Sequence, residues 1–220
     1  MAPVTFTLNG TTVEVPADGA SLLAALRDRL GVRSPKDGCS PQGQCGCCTV
    51  WVDGQPRVAC VTPVARVAGR SVTTVEGLPA AEEWAQRLCA TGASQCGFCT
   101  PGIVMRLDAL AADENGRRDE AAVRQALLAH LCRCTGWQTV VEAACAAPTA
   151  ANANAAVRDL VAAARRAALE GGAAQVVSPA VALGRGGFAA DTAPPDALHA
   201  VRATDGEWVV ADTLTEARRL

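Results

Sequence analysis

The sequence predicts an α+β chain: a small mixed sheet with one helix across it, then an all-α unit of four short helices, then a C-terminal extension. Three observations predict this. Apolar and polar residues alternate across residues 4–16, the period of half-buried strands. From Ala80 onward the apolar spacing becomes helical. Near Glu76-Gly77-Leu78-Pro79 the character of the chain changes within a few residues. The chain has 220 residues and 50% apolar composition, enough for one large or two modest cores.

Taken in order, Val4, Phe6 and Leu8 alternate, Asn9-Gly10 supplies a type I′ turn, and Val13 and Val15 return on the far side. Ser21 caps a helix with the stripe Leu22, Leu23, Leu26 and Leu30, closed by Gly31. The stretch from Lys36 to Cys48 is too rich in Gly and Cys for regular structure. A strand follows at Thr49–Val52, then an Asp53-Gly54 turn and a short strand ending at Cys60, where Pro56 marks a sheet edge. Another strand is expected over Ser71–Val75. Helices are expected over residues 80–91, 101–112, 119–131 and 137–147. Thr100 reads as an N-cap with Pro101 at the first helical position, Asp119 caps the third helix, and Thr135 with Gln138 reads as a capping box.

Beyond residue 148 the sequence is Ala-rich, with a thin stripe of Leu160, Val161 and Leu169, stopped by Gly171-Gly172. A hairpin is expected through Ala203-Thr204-Asp205-Gly206, and Asp212 as the cap of a last helix. The expected division is therefore residues 1–77, residues 78–150, and an Ala-rich helix or linker with a C-terminal extension at 151–220, whose unfinished last unit suggests either docking on a partner subunit or separation from a longer architecture.

A net charge of −2 with no basic stripe argues against nucleic acid as a partner. No apolar run approaches the ~20 residues of a membrane span. The N-terminus lacks the basic and apolar regions of a signal peptide, so a cytoplasmic location is expected. That location, and the bunching of the eleven cysteines, oppose a disulfide scaffold.

The cysteines form two sets. Cys39, Cys45, Cys48 and Cys60 are spaced x5, x2 and x11, close to the C-x4-C-x2-C and distant fourth Cys of plant-type [2Fe–2S] ferredoxins. A four-cysteine zinc site is the competing reading. A Rieske centre is excluded, because His130 and His199 lie outside any ligand pattern. The second set is Cys96-Gly97-Phe98-Cys99 and Cys132-Arg133-Cys134, each pair leading into a helix start, where free N–H groups favour an anion such as a thiolate-bound cluster. Cys-Gly-Phe-Cys alone could be a thioredoxin-like pair, but that needs a βαβ context. Structural zinc stays open for this set too. Cys47 is expected to point away from the metal, and Cys89 and Cys145 to be small buried hydrophobes. No general base, nucleophile or flavin fingerprint stands out, so no residue is assigned to substrate chemistry.

The run Gly38-Cys39, Cys45-Gly46-Cys47-Cys48-Thr49-Val50, Asp53-Gly54, Cys60, Gln95-Cys96-Gly97-Phe98-Cys99-Thr100-Pro101-Gly102 and Leu131-Cys132-Arg133-Cys134-Thr135-Gly136 resembles the iron–sulfur subunit, or fused N-terminal iron–sulfur region, of the molybdenum hydroxylases. These are the xanthine dehydrogenase, aldehyde oxidase and aerobic carbon monoxide dehydrogenase group, and the resemblance covers about residues 3–147. It implies a β-grasp plant-type ferredoxin-like domain followed by a helical domain, each with one [2Fe–2S] cluster. It also implies a molybdopterin-binding large subunit as electron source and an FAD-binding medium subunit as acceptor. Gln95 and Cys134 would face the pterin, a role that suits a Gln offering both donor and acceptor. Against the usual pattern, x5 replaces x4 after Cys39, Cys47 replaces a small non-thiol residue, and Ala129-His130 replaces Gly-Asn. A free-standing two-cluster ferredoxin is the alternative, for which a strongly acidic surface would be expected.

Overall fold

A computed structural model describes residues 2–39, 41–147, 159–169, 177–194 and 196–220. The expectations for residues 148–158 and for the Gly171-Gly172 stop fall outside these residues. Strands β1 (Val4–Leu8), β2 (Thr11–Val15), β3 (Thr49–Val52), β4 (Gln55–Val58) and β5 (Ser71–Thr73) form one sheet in the order β2-β1-β5-β3-β4. β1 and β5 run parallel, and the other pairings are antiparallel. Asn9 and Gly10 both take positive φ, as a type I′ turn requires. Asn9 also bonds Thr74 twice, accepting from its N–H and donating to its hydroxyl at 2.9 Å each. This pins the first hairpin to the chain leaving β5. Pro56 lies on β4, at the sheet edge, where its missing N–H costs no ladder bond.

Ser21 caps α1 (Leu22–Ala24), its hydroxyl accepting from the Ala24 N–H at 3.1 Å, and the helix continues as a π-helical segment, Ala25–Arg29. Leu22, Leu23 and Leu26 bury against Phe6, Leu8, Val50, Val52 and Val72, making the first core.

The second core lies among α2 (Ala81–Thr91), α3 (Thr100–Asp108), α4 (Glu120–Ala126) and α5 (Gln138–Cys145). Trp84, Leu88, Ile103, Val104, Leu107, Val123, Val140 and Val141 fill it, and Cys45 and Cys47 of the first cysteine loop pack into the same core. α3 lies on β3, with the Trp51 indole N–H donating to the Met105 carbonyl at 2.7 Å.

Several expected ends move, each for a local reason. α3 stops at Asp108 rather than near residue 112. The Leu107 carbonyl, which a further turn would need, accepts from Leu110 N–H and Arg118 Nε at 3.0 Å each. The third helix ends at Ala126, passes through a 3-10 turn, and straightens at His130 so that Leu131 N–H reaches the Cys45 carbonyl at 2.9 Å. Thr100 is not the cap of α3: Cys99 holds that position, and the Thr100 hydroxyl lies 3.3 Å from that of Ser94. The Thr135–Gln138 capping box is not formed. Trp137, at φ 64°, is the N-cap of α5, and Thr135 accepts from its N–H. Asp119 does cap α4.

Farther on come α6 (Leu160–Leu169), α7 (Pro179–Ala182), α8 (Ala189–Thr192), the hairpin β6 (His199–Arg202) and β7 (Trp208–Ala211), and α9 (Leu214–Ala217), capped by Thr213 rather than Asp212. α7 packs on α2, with Ala182 against Ala85 and Cys89. This part of the extension thus docks on the chain itself. Trp208 is two-thirds exposed on the hairpin (66%).

Candidate metal centre

The first loop brings Cys39 to Cys45 and Cys48 to Cys60, and Cys45 also shares a thiol hydrogen bond with Cys47. Cys39 and Cys45 share a thiol hydrogen bond, as do Cys48 and Cys60, and Cys48 Sγ also accepts from the Cys60 N–H at 3.4 Å. Burial alone would push the Cys39 thiol up. The main-chain N–H groups of Cys45, Gln44 and Gln42 outweigh it together and bring the thiol down to about 7. Amides aimed at a sulfur stabilise the thiolate, the form that binds metal. Burial raises the Cys45, Cys48 and Cys60 thiols.

The second set is paired in the same manner. Cys134 and Cys96 lie with their sulfurs 3.6 Å apart, and Cys99 hydrogen-bonds Cys132. Within the latter pair the proton is held by Cys99. The Cys99–Cys132 bond brings Cys132 down to about 5, and the Thr135 hydroxyl, 3.1 Å from Cys132 Sγ, assists. The same bond, followed by burial, pushes Cys99 far up. Cys99 sits at the N-cap of α3, so the pair lies beside the helix's free N–H groups, where an anion is favoured.

The two sets meet. A cleft of about 670 Å³ is lined by Gly38, Cys45 and Cys47 from the first loop and by Cys96, Cys99, Cys132 and Cys134 from the second. Gln95 and Cys134 are also together, the Gln95 side-chain amide donating to the Cys134 carbonyl at 3.4 Å, and the Cys134 side is exposed. The buried Cys47 thiol turns to the Cys45 carbonyl at 3.6 Å, and Cys89 and Cys145 stand on α2 and α5 outside both sets.

Two further residues that the spacing did not single out join the loops. His130 is buried, its Nε2 lies 3.3 Å from the Thr49 hydroxyl, and its ring occupies the space a side chain on Gly46 would need. Burial holds this imidazole down at about 4, so it is neutral. The Trp137 indole donates to the His130 carbonyl at 2.8 Å. The available signal was Gly46 itself, a glycine at φ 69° between two cysteines, which announces close approach by another element.

Pairing of the thiols bears on which metal fits. A dinuclear cluster takes two sulfurs per iron, whereas a tetrahedral zinc draws four donors to one point. Both sets present two pairs.

Comparison with known proteins points to the same kind of cluster. A family model described as "2Fe-2S iron-sulfur cluster binding domain" matches residues 1–77, and one described as "[2Fe-2S] binding domain" matches residues 74–145. The gamma subunit of caffeine dehydrogenase from Pseudomonas sp. (strain CBB1) is 37% identical over 146 residues, covering 64% of this chain and 87% of that subunit. The chain belongs to the [2Fe–2S] electron-transfer subunits of the molybdenum hydroxylases. Within the family, the xanthine dehydrogenase of Blastobotrys adeninivorans is 35% identical over 156 residues, but those are 64% of this chain and only 11% of that protein. The solved aldehyde oxidoreductase from Desulfovibrio gigas superposes with a TM-score of 0.69 at 30% identity, over 92% of this chain and 23% of that one. No helix among the described residues is long and apolar enough to cross a membrane.

Proposed function

We propose that Cys39, Cys45, Cys48 and Cys60 ligate one [2Fe–2S] cluster and Cys96, Cys99, Cys132 and Cys134 the other. The chain would then carry electrons singly from a molybdopterin-binding large subunit to an FAD-binding medium subunit. The observation that supports this most directly is the pairing of all eight thiols, two pairs in each set. In this reading residues 1–77 are the plant-type ferredoxin-like domain, 78–150 the helical domain with its four short helices, and 151–220 the extension. Each cluster supplies a one-electron carrier when bound.

The protein's own part is to supply thiolates, to shield them and to hold the two loops together. The amides around Cys39 and the hydroxyl at Cys132 stabilise sulfur charge. The Leu131–Cys45 and His130–Thr49 contacts keep the sets adjacent, as short-range electron transfer requires. Exposure of Cys134 beside Gln95 suits entry of electrons at that end, with Gln95 donating to and accepting from a pterin edge. Eleven free thiols suit a reducing cytoplasm.

Metal analysis tests the ligand set. The purified chain should be brown and hold about four irons. Cys45→Ser should lose about half of them, while Cys47→Ser should keep all. Iron lost from the second variant and kept by the first would reverse the assignment, and a colourless zinc-loaded chain would overturn it.

A further inference from the structure

The C-terminal segment from Ser178 to Thr192 returns to both cysteine loops and brings one carboxylate into the interior. Asp191 of α8 accepts from Lys36 Nζ at 2.6 Å and from Arg27 Nη2 at 2.9 Å, and the three side chains are 8%, 1% and 9% exposed. Both cations are fixed further by main-chain oxygens. Lys36 Nζ donates to Arg33 O at 2.6 Å and Gly184 O at 3.1 Å, and Arg27 Nη1 to Arg33 O and Pro35 O at 2.9 and 2.8 Å. Lys36 in turn belongs to the first cysteine loop, where its N–H donates to the Cys47 carbonyl at 3.1 Å. Arg27, Lys36, Asp191 and Cys60 line one cavity of about 390 Å³. Phe188, three residues before Asp191, meets Phe98 of the second loop edge-on, with ring centroids 5.1 Å apart.

Two buried cations beside a cluster favour its reduced form, because reduction adds negative charge. A carboxylate between them offsets that effect. We propose that Asp191 offsets the charge of Lys36 and Arg27, which main-chain oxygens also fix by the first loop, so that the C-terminal segment lowers the reduction potential of the cluster ligated by Cys39, Cys45, Cys48 and Cys60. This rests on the ligand assignment proposed above. A buried pair of charges is costly to desolvate, so its contribution to stability alone is a weak reason for its presence. Its link to the first loop, through the Lys36 N–H on the Cys47 carbonyl and a cavity shared with Cys60, is what ties it to the cluster.

The test is a redox titration of the full chain with its clusters, followed by electron paramagnetic resonance of the two reduced centres. The first-loop signal is identified as the one that Cys45→Ser loses. In Asp191→Asn, the ratio of reduced to oxidised first cluster at a fixed potential should rise about tenfold, equivalent to about 59 mV for a one-electron couple. The second cluster should move far less, and Asp191→Glu should return the first nearly to its original value. Iron-loaded Asp191→Asn with unchanged potentials, or with both clusters shifted equally, would overturn the proposal. If Asp191→Asn does not retain iron, Lys36→Met gives the opposite arm: the same ratio should fall about tenfold, and no fall would refute the idea. An unsubstituted chain with only one cluster signal would defeat the ligand assignment itself, and this inference with it.

Discussion

Replacing Gly102 by alanine should destabilise the protein and release iron from the first loop, although the same change in an isolated helix would stabilise it. Gly102 lies in the first turn of α3, where alanine is favoured over glycine by about 1 kcal/mol. A Cβ at this position, however, would overlap the Gly46 carbonyl oxygen and come within 3.0 Å of the Cys47 Cα and carbonyl carbon. These are main-chain atoms of the loop between Cys45 and Cys48. The carbonyl cannot turn away cheaply, because the Thr49 N–H and hydroxyl both donate to it, at 3.1 and 2.8 Å. Overpacking of this kind costs about 1–3 kcal/mol, and more where backbone must move, so the sign is set by the contact and not by propensity. Comparing urea midpoints and iron content of the variant and the parent chain checks this. A variant that is more stable and keeps about four irons would show that the two loops can part without loss.

That contact also shows where the sequence stops being legible. Strands and helices were readable because their signals are local. The alternation of Val4, Phe6 and Leu8, the Asn9-Gly10 turn, and the caps Ser21 and Asp119 each act within a few residues. The cysteine loops stood out because they are closely spaced, and the structure brings the thiols of Cys39 with Cys45, Cys48 with Cys60, Cys96 with Cys134 and Cys99 with Cys132 within reach of one another. What local pattern misled was the capping at Thr100 and Thr135. There the helix starts are fixed by the cysteine loops, so Cys99 and Trp137 take the cap positions. What it omitted was every contact between distant segments. Leu131 on Cys45, His130 on Gly46, and Asp191 on Lys36 join residues 86, 84 and 155 positions apart, and nothing in either neighbourhood marks the partner. What composition does not show is how the described part of the extension packs on the chain itself, through one carboxylate, one aromatic ring and the small face of α7, none of which stands out in a composition.

The helical core has a comparable long-range tie, and its removal should give a loss of similar or greater size. Arg87 on α2 is 2% exposed, and its guanidinium donates to the carbonyls of Ala143 at 2.7 Å and Ala146 at 2.6 Å. These groups end α5, where the last carbonyls lack intrahelical partners and the macrodipole is negative. One cation thus satisfies a buried helix C-terminus. The same guanidinium lies 4.7 Å from the centroid of the Trp84 ring, which also meets Arg118 at 4.4 Å, and the Trp84 indole donates to Asp108 at 2.8 Å. Arg87 therefore contributes through packing and through donation, and two variants separate them. Arg87→Ala removes both and should cost about 2–5 kcal/mol, from two carbonyls left without a donor and the lost packing on Trp84. Arg87→Met retains most of the stem against Trp84 while removing the donors, and should recover roughly half of that loss. Chemical denaturation followed by tryptophan fluorescence measures both. α5, which follows Cys134, would loosen first, so the second cluster should be lost at lower denaturant than the first. Two variants as stable as the parent chain would mean that water satisfies the α5 carbonyls, and that Arg87 is not what closes the helical core.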